Sequence, residues 1–197
     1  MYTVYGLPMT RTFRVLWALE EMGQPYEFVK APPQSPEARA VNLSGKVPVL
    51  KDGDTLITDS TAILTYLADK HSQLTAPPGS LARAKQDAMM HLVLDELDAV
   101  LWTASRHSFI LPEDQRIPAI KDSLRWEFSR NINRLAESVE GPFAMGEEMT
   151  ITDIILTHCL NWAFSAKFPI ESEVLLAYGK RMRARDTFQR VAALAKQ

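Results

Sequence analysis

The chain has 197 residues and a mass of 22.2 kDa, room for one domain or two small ones. Apolar residues make up 46% and charged residues 23%, ordinary globular usage that excludes a disordered or fibrous chain. The net charge is −2, with seven basic and eight acidic residues up to Ala76 and fifteen and sixteen after it, so neither part has the basic excess of a nucleic-acid binder.

Tyr2 to Tyr5 reads as a short strand closed by Gly6-Leu7-Pro8. Val15, Ala18, Leu19 and Met22 then repeat at helical spacing, and Gly23 stops the helix with Pro25 just beyond. Tyr26 to Lys30 reads as a second strand. Residues 31–45, with Pro32, Pro33 and Pro36, read as irregular. Val47 to Leu50 is a third short strand, and the Asp52-Gly53 pair signals a hairpin back to Thr55–Ile57. Thr58, Asp59 and Ser60 are helix-capping residue types, and Ile63, Tyr66 and Leu67 follow at helical spacing. A strand–helix–strand unit implies a parallel pair, and the hairpin adds antiparallel strands. The expected result is a small mixed sheet of thioredoxin-like size over residues 1–74.

The uncharged Ser72–Ser80 segment, with Pro77, Pro78 and Gly79, is a linker, set at residues 75–82. After it the strand signals end. Helical repeats run over 83–106 and 118–139, and residues 151–166 are apolar nearly all round, the pattern of a buried central helix. Two shorter helices are expected near 172–182 and 187–195. Residues 83–197 therefore read as an all-α helical bundle. Thr150-Ile-Thr-Asp153 has the spacing of a capping box, a folding signal.

Cys159 has no partner for an internal disulfide, which points to a reducing compartment, and its apolar neighbours make it an inert buried thiol. The first eight residues lack a signal peptide's basic and apolar regions, and no run of 18 apolar residues occurs. A soluble, cytoplasmic protein without membrane or nucleic-acid partners is expected. There is no phosphate loop, no Cys-x-x-Cys and no histidine spacing for a metal, so no metal is expected. The basic residues of Lys180–Arg185 read as a solvated helix face.

Two places remain for chemistry. The turn Gly6–Thr12 presents two hydroxyls, an arginine and a helix N-terminus, whose dipole favours an anion and would lower the pKa of a thiol. The plainer alternative is that Thr10 or Thr12 only caps the helix. The second place is Gly45-Lys-Val-Pro-Val49 with Asp59-Ser60. A proline opening a short strand suggests a sheet edge and a cis bond, and a free backbone at Val47 could pair with an extended peptide. Asp59 could hold an ammonium, or it could simply cap its helix.

The chain resembles the cytosolic-type glutathione transferases, bacterial members in particular. The resemblance rests on Tyr5-Gly-Leu-Pro-x-Thr10, Arg14–Glu21, Gly45-Lys-Val-Pro-Val-Leu50, Asp59-Ser-Thr-Ala-Ile-Leu-x-Tyr-Leu67 and Thr150–Asp153, and it covers essentially the whole chain. It implies a thioredoxin-like N-terminal domain, an all-helical C-terminal domain and a homodimer. Glutathione would be the co-substrate, its thiolate attacking a small electrophile in the cleft between the domains. The resemblance places the cysteinyl unit on Val47 with Pro48 cis, the γ-glutamyl end on Asp59 and Ser60, and the glycyl carboxylate near Lys46. Many members put Ser, Tyr or Cys in the first turn; here that turn reads Pro8-Met-Thr-Arg-Thr12. Thr10 is the preferred hydroxyl, then Arg11 as a nearby charge, then Tyr5. Trp102, Arg106, His107 and Phe109 are expected to line the second-substrate pocket, with Trp162 and Phe164 mostly core. A glutathione-dependent disulfide or peroxide reductase and a non-catalytic scaffold are the alternatives on the same fold.

Overall fold

The structure is a computed structural model that describes residues 1–139 and 141–195. The elements in order are β1 (Tyr2–Gly6), α1 (Thr12–Glu21), β2 (Tyr26–Lys30), α2 (Pro36–Val41), β3 (Val49–Asp52), β4 (Thr55–Thr58) and α3 (Ser60–His71). They continue with α4 (Leu81–Val93), α5 (Ala99–Ser105), α6 (Ile120–Glu137), α7 (Ile151–Ser165), α8 (Glu173–Arg183) and α9 (Asp186–Leu194). The chain divides into two compact units. One joins Met1–Pro78 with Met182–Gln197; the other is Gly79–Arg181.

The first unit holds a four-stranded sheet in the order β2-β1-β3-β4, with β1 and β2 parallel and the other pairs antiparallel. This is the expected thioredoxin-like arrangement. Two local expectations are corrected. β3 is not an edge strand: it lies between β1 and β4 and starts at Val49, so Pro48 stands one residue before the ladder and takes no donor from it. Residues 31–45 are not wholly irregular, because Ser35 accepts from Ala38 N at 3.2 Å and Pro36 opens α2, where a missing N–H costs nothing.

α1 ends as its sequence dictates. Gly23 adopts φ +63°, Gly23 N donates to Glu20 O and Gln24 N to Leu19 O, a Schellman closure. The apolar stripe of α1 is buried, from Val15 to Leu19.

The last helix, α9, belongs to this unit and not to the helical one in which the sequence grouped it. Phe188 packs against Phe13 and Trp17, with ring centroids 4.9 and 5.1 Å apart. Arg185 donates to both carboxylate oxygens of Glu21 at 2.7 Å, and Arg190 donates to Glu20. Arg185, read as part of a solvated basic face, is thus in an ion pair. Burial would raise the Glu21 carboxyl, but the hydrogen bonds from Arg185, Thr187 and Trp17 outweigh it and hold the group below its ordinary value. A depressed carboxyl gives stability that is present above its unfolded pKa and is lost as pH falls through the folded one. Glu21→Gln should therefore lower stability by about 1–2 kcal/mol at neutral pH and less in acid. Urea melts at several pH values check this.

The second unit is helical. α4 passes through a π-helical turn at Leu94–Asp98 into α5, and a second π turn follows at Arg106–Ile110. The single helix expected over 83–106 is thus interrupted but not broken. α7 is buried from Ile151 to Thr157, as its apolar pattern predicts. Its capping box is closed, with Thr150 N donating to Asp153 Oδ2 at 2.8 Å. Cys159 is buried, and its thiol reaches Asp98 Oδ2 at 3.8 Å. No helix among the described residues is long and apolar enough to cross a membrane.

Candidate functional site

Strand register brings the two sequence-predicted places together. Tyr5 pairs with Val49, and Val49 pairs with Thr58. The three residues form one row across neighbouring strands. The turn after β1, the approach to β3 and the start of α3 therefore all lie at one end of the sheet. α3 is further tied to α1 by the buried Arg14, whose Nη1 donates to Ser60 Oγ at 3.4 Å. Arg14 was missed as a site-organising residue; the signal was a charge inside the apolar run Phe13–Leu19.

In the first turn Thr10 Oγ1 contacts Leu7 O at 2.8 Å and Thr12 Oγ1 at 2.9 Å, and accepts from Thr12 N at 3.2 Å. Thr10 N also donates to Leu7 O, and Phe13 N to Thr10 O. The turn is thus closed by Thr10 through both backbone and side chain. Met9 is 83% exposed and takes no part. Arg11 is half-buried at the N-cap position of α1 and makes no side-chain cap bond. Tyr5 is half-buried in β1, and no described residue hydrogen-bonds its hydroxyl.

The Val47–Pro48 peptide bond is cis. No described residue hydrogen-bonds the N–H or C=O of Val47, so both remain open to an extended ligand. The loop before it is held by Asn42, whose Nδ2 donates to Lys46 O at 2.9 Å, and the Lys46 side chain is exposed. Asp59 caps α3 through Oδ1, which accepts from Thr61 N at 2.8 Å and Ala62 N at 3.1 Å. Its Oδ2 bonds no described residue. Asp59 sits at φ +69°, a backbone conformation that costs a non-glycine residue on the order of 1–3 kcal/mol and collects at ligand clamps. Ser60 is buried beside it.

In the helical unit, Arg106, His107 and Phe109 share the second π turn, and Trp102 lies one helical turn earlier in α5. Arg106 Nη2 donates to Thr103 Oγ1 at 3.4 Å, and His107 Nδ1 accepts from Ile117 N at 3.1 Å. Phe109 is 66% exposed. Phe164, expected to be mostly core, is instead 84% exposed. No group of three or more His, Cys, Asp or Glu among the described residues is placed to hold a metal.

A thioredoxin-like unit with a cis-proline loop and a helix-capping aspartate at the same end of its sheet, followed by a helical unit, is the arrangement of a glutathione transferase fold. Comparison with known proteins agrees. The family model described as "Glutathione S-transferase, N-terminal domain" matches residues 5–77. Glutathione S-transferase GstA of Escherichia coli O157:H7 is 31% identical over 155 residues, 76% of this chain and 74% of its own length. The structure of a glutathione transferase family member from Pseudomonas fluorescens Pf-5, with two glutathione bound, is 25% identical with a TM-score of 0.80, covering 96% of this chain and 91% of that one. A glutathione transferase from Methylococcus capsulatus shares the fold along both whole chains, with a TM-score of 0.86 at 23% identity. The chain belongs to the glutathione S-transferase family.

Proposed function

We propose that this glutathione S-transferase binds glutathione along the sheet end marked by Tyr5, Val49 and Thr58 and transfers its thiolate to a small electrophile. The observation that supports the reading is that row: a hydroxyl-bearing turn, an unpaired backbone at Val47 and a carboxylate oxygen at Asp59 stand at the same end of the sheet, the groups that an extended ligand with an ammonium would use. Glutathione is an anionic extended tripeptide with one ammonium. Its cysteinyl unit pairs with Val47 beside Pro48. Its γ-glutamyl end takes Asp59 Oδ2 and Ser60. Its glycyl carboxylate lies near Lys46.

Thr10 is the thiol's hydrogen-bond donor, with Arg11 and Tyr5 as the other candidates. Its hydroxyl proton now points at Leu7 O, and rotation about the Cβ–Oγ bond is the movement that would turn it toward a bound sulfur. The thiol gives its proton to solvent. The thiolate then forms a carbon–sulfur bond as the electrophile's leaving group departs with the electron pair. Trp102, Arg106, His107 and Phe109 contact the electrophile. The glutathione-binding unit is Met1–Pro78 together with α9, and the helical unit is Gly79–Arg181. A cytoplasmic homodimer acting in detoxification completes the reading, which rests on the family.

Thr10→Val keeps the shape and removes the donor. The pKa of bound glutathione's thiol, titrated by ultraviolet absorbance, should rise by about one unit, and turnover near neutral pH should fall about tenfold. Glutathione affinity should hold, because the Val47 and Asp59 contacts remain. Thr10→Ser should keep activity. The assignment fails if Thr10→Val changes nothing while Arg11→Ala or Tyr5→Phe shifts both quantities.

A further inference from the structure

Thr12 has no role in the site as described so far, yet its hydroxyl is placed with unusual constraint. The residue is fully buried, and its Oγ1 has one hydrogen-bonding neighbour among the described residues, Thr10 Oγ1 at 2.9 Å. The space it fills exists because residue 6 is glycine. A Cβ on Gly6 would come within 2.0 Å of Thr12 Oγ1, and Gly6 sits at φ +154°.

The direction of the Thr10–Thr12 bond follows from proton bookkeeping. Two hydroxyls bring two protons to two contacts, Thr10 to Leu7 O and Thr10 to Thr12. Leu7 O can only accept, so the Thr10 proton goes there. The Thr12 proton then goes to Thr10 Oγ1. The reverse arrangement would leave two acceptors facing each other at 2.8 Å and a buried Thr12 proton with nowhere to go. Thr10 Oγ1 therefore accepts twice, from Thr12 Oγ1 and from Thr12 N, and donates once.

From this arrangement we infer that Thr12 is a positioning residue: its buried hydroxyl, together with its own N–H, pins the Thr10 oxygen and strengthens that hydroxyl as a donor to the glutathione sulfur. Two donors fix the oxygen while its proton swings from Leu7 O to the sulfur. Each bond in such a chain polarises the next, so a hydroxyl that accepts donates better. The result is a relay of hydrogen bonds, Thr12 to Thr10 to sulfur, in which no covalent bond changes. The inference rests on the Thr10 assignment proposed above.

The test uses the full-length protein carrying Thr12→Val, Thr12→Ser, Thr12→Ala or Gly6→Ala, with Thr10→Val alongside. Thermal melts report the folded fraction, and calorimetry reports glutathione affinity. Thr12→Val should raise the pKa of the bound glutathione thiol by about half a unit to one unit, with affinity within twofold of the parent. The rate–pH profile should move by the same amount, with kcat falling and KM for glutathione unchanged. Thr12→Ser should restore both. Gly6→Ala should shift the thiol pKa in the same direction as Thr12→Val. Should Thr12→Val not fold, Thr12→Ala, which removes the hydroxyl without adding bulk, carries the same expectation. Folded Thr12→Val and Thr12→Ala proteins with the parent's thiol pKa, beside a shifted Thr10→Val, would overturn the inference and leave the Thr10 assignment standing. An unshifted Thr10→Val overturns both. Failure of Thr12→Ser to restore the pKa also overturns the inference, since the hydroxyl would not be the cause.

Discussion

Replacing Asp59 by glycine should leave the fold intact while glutathione affinity falls about ten- to a hundredfold. The two effects separate because the residue does two jobs. As a cap, its Oδ1 holds Thr61 N and Ala62 N, and glycine at an N-cap gives up only a few tenths of a kcal/mol relative to a good cap. As a residue at φ +69°, aspartate carries backbone strain that glycine does not, so part of the lost cap is offset. The carboxylate oxygen facing no described partner has no such substitute. Removing a charge-assisted contact to the γ-glutamyl ammonium costs about 1.5–3 kcal/mol of binding. Calorimetry for affinity and a urea midpoint for stability make the comparison. A glycine variant that binds glutathione normally would remove Asp59 from the site, and a large drop in urea midpoint would make its role structural.

Replacing Asp153 by alanine should have the opposite character: about 3–5 kcal/mol of stability lost. The sequence marks this residue as half of a capping box, but the structure gives it four bonds. Oδ1 accepts from Ala144 N at 2.7 Å and Tyr178 hydroxyl at 2.8 Å, and Oδ2 from Thr150 N at 2.8 Å and Thr150 Oγ1 at 3.2 Å. One carboxylate thus joins the start of α7 to the preceding turn and to α8. Alanine leaves those donors buried and unpaired. Burial raises the Asp153 carboxyl above its ordinary 3.8, and the four hydrogen bonds only partly oppose this. A carboxyl raised on folding contributes stability below its unfolded pKa, and that contribution is lost as pH climbs through the folded value. Asp153→Asn should therefore flatten the part of the stability–pH curve just above 3.8 on which the parent loses stability. Chemical denaturation across that range checks both variants. Glutathione affinity of folded Asp153→Ala protein should be unchanged, since every Asp153 bond stays within the helical unit.

Much of the first unit was legible because its signals are local. Tyr26–Lys30, the β3–β4 hairpin and the Asp59 cap each depend on a few adjacent residues, and the structure agrees with them. What escaped depends on distance or on competing local cues. Three prolines masked α2, although Ser35-Pro36-Glu37 is itself a helix start. Pro48 suggested an edge because one residue decides whether it lies in a ladder or before it. The π turns at Leu94–Asp98 and Arg106–Ile110 hardly disturb the apolar repeat, so periodicity reads through them. An amphipathic pattern shows that α9 has a face to bury but not which helix receives it. The hydroxyl pair of Thr10 and Thr12 depends on how the turn closes over Gly6, which composition does not encode.

The position of α9 also bears on how the chain is made. Trp17 meets Thr187 and Phe188, across a sequence separation of about 170 residues, so the sheet-bearing unit is assembled from two stretches with the helical unit encoded between them. While a ribosome is still adding the helical stretch, Phe13, Trp17 and the Glu21 carboxylate have no α9 to cover them. The unit emerges early and is completed late. Its exposed aromatic face during that interval is the surface on which a chaperone would act or aggregation would start.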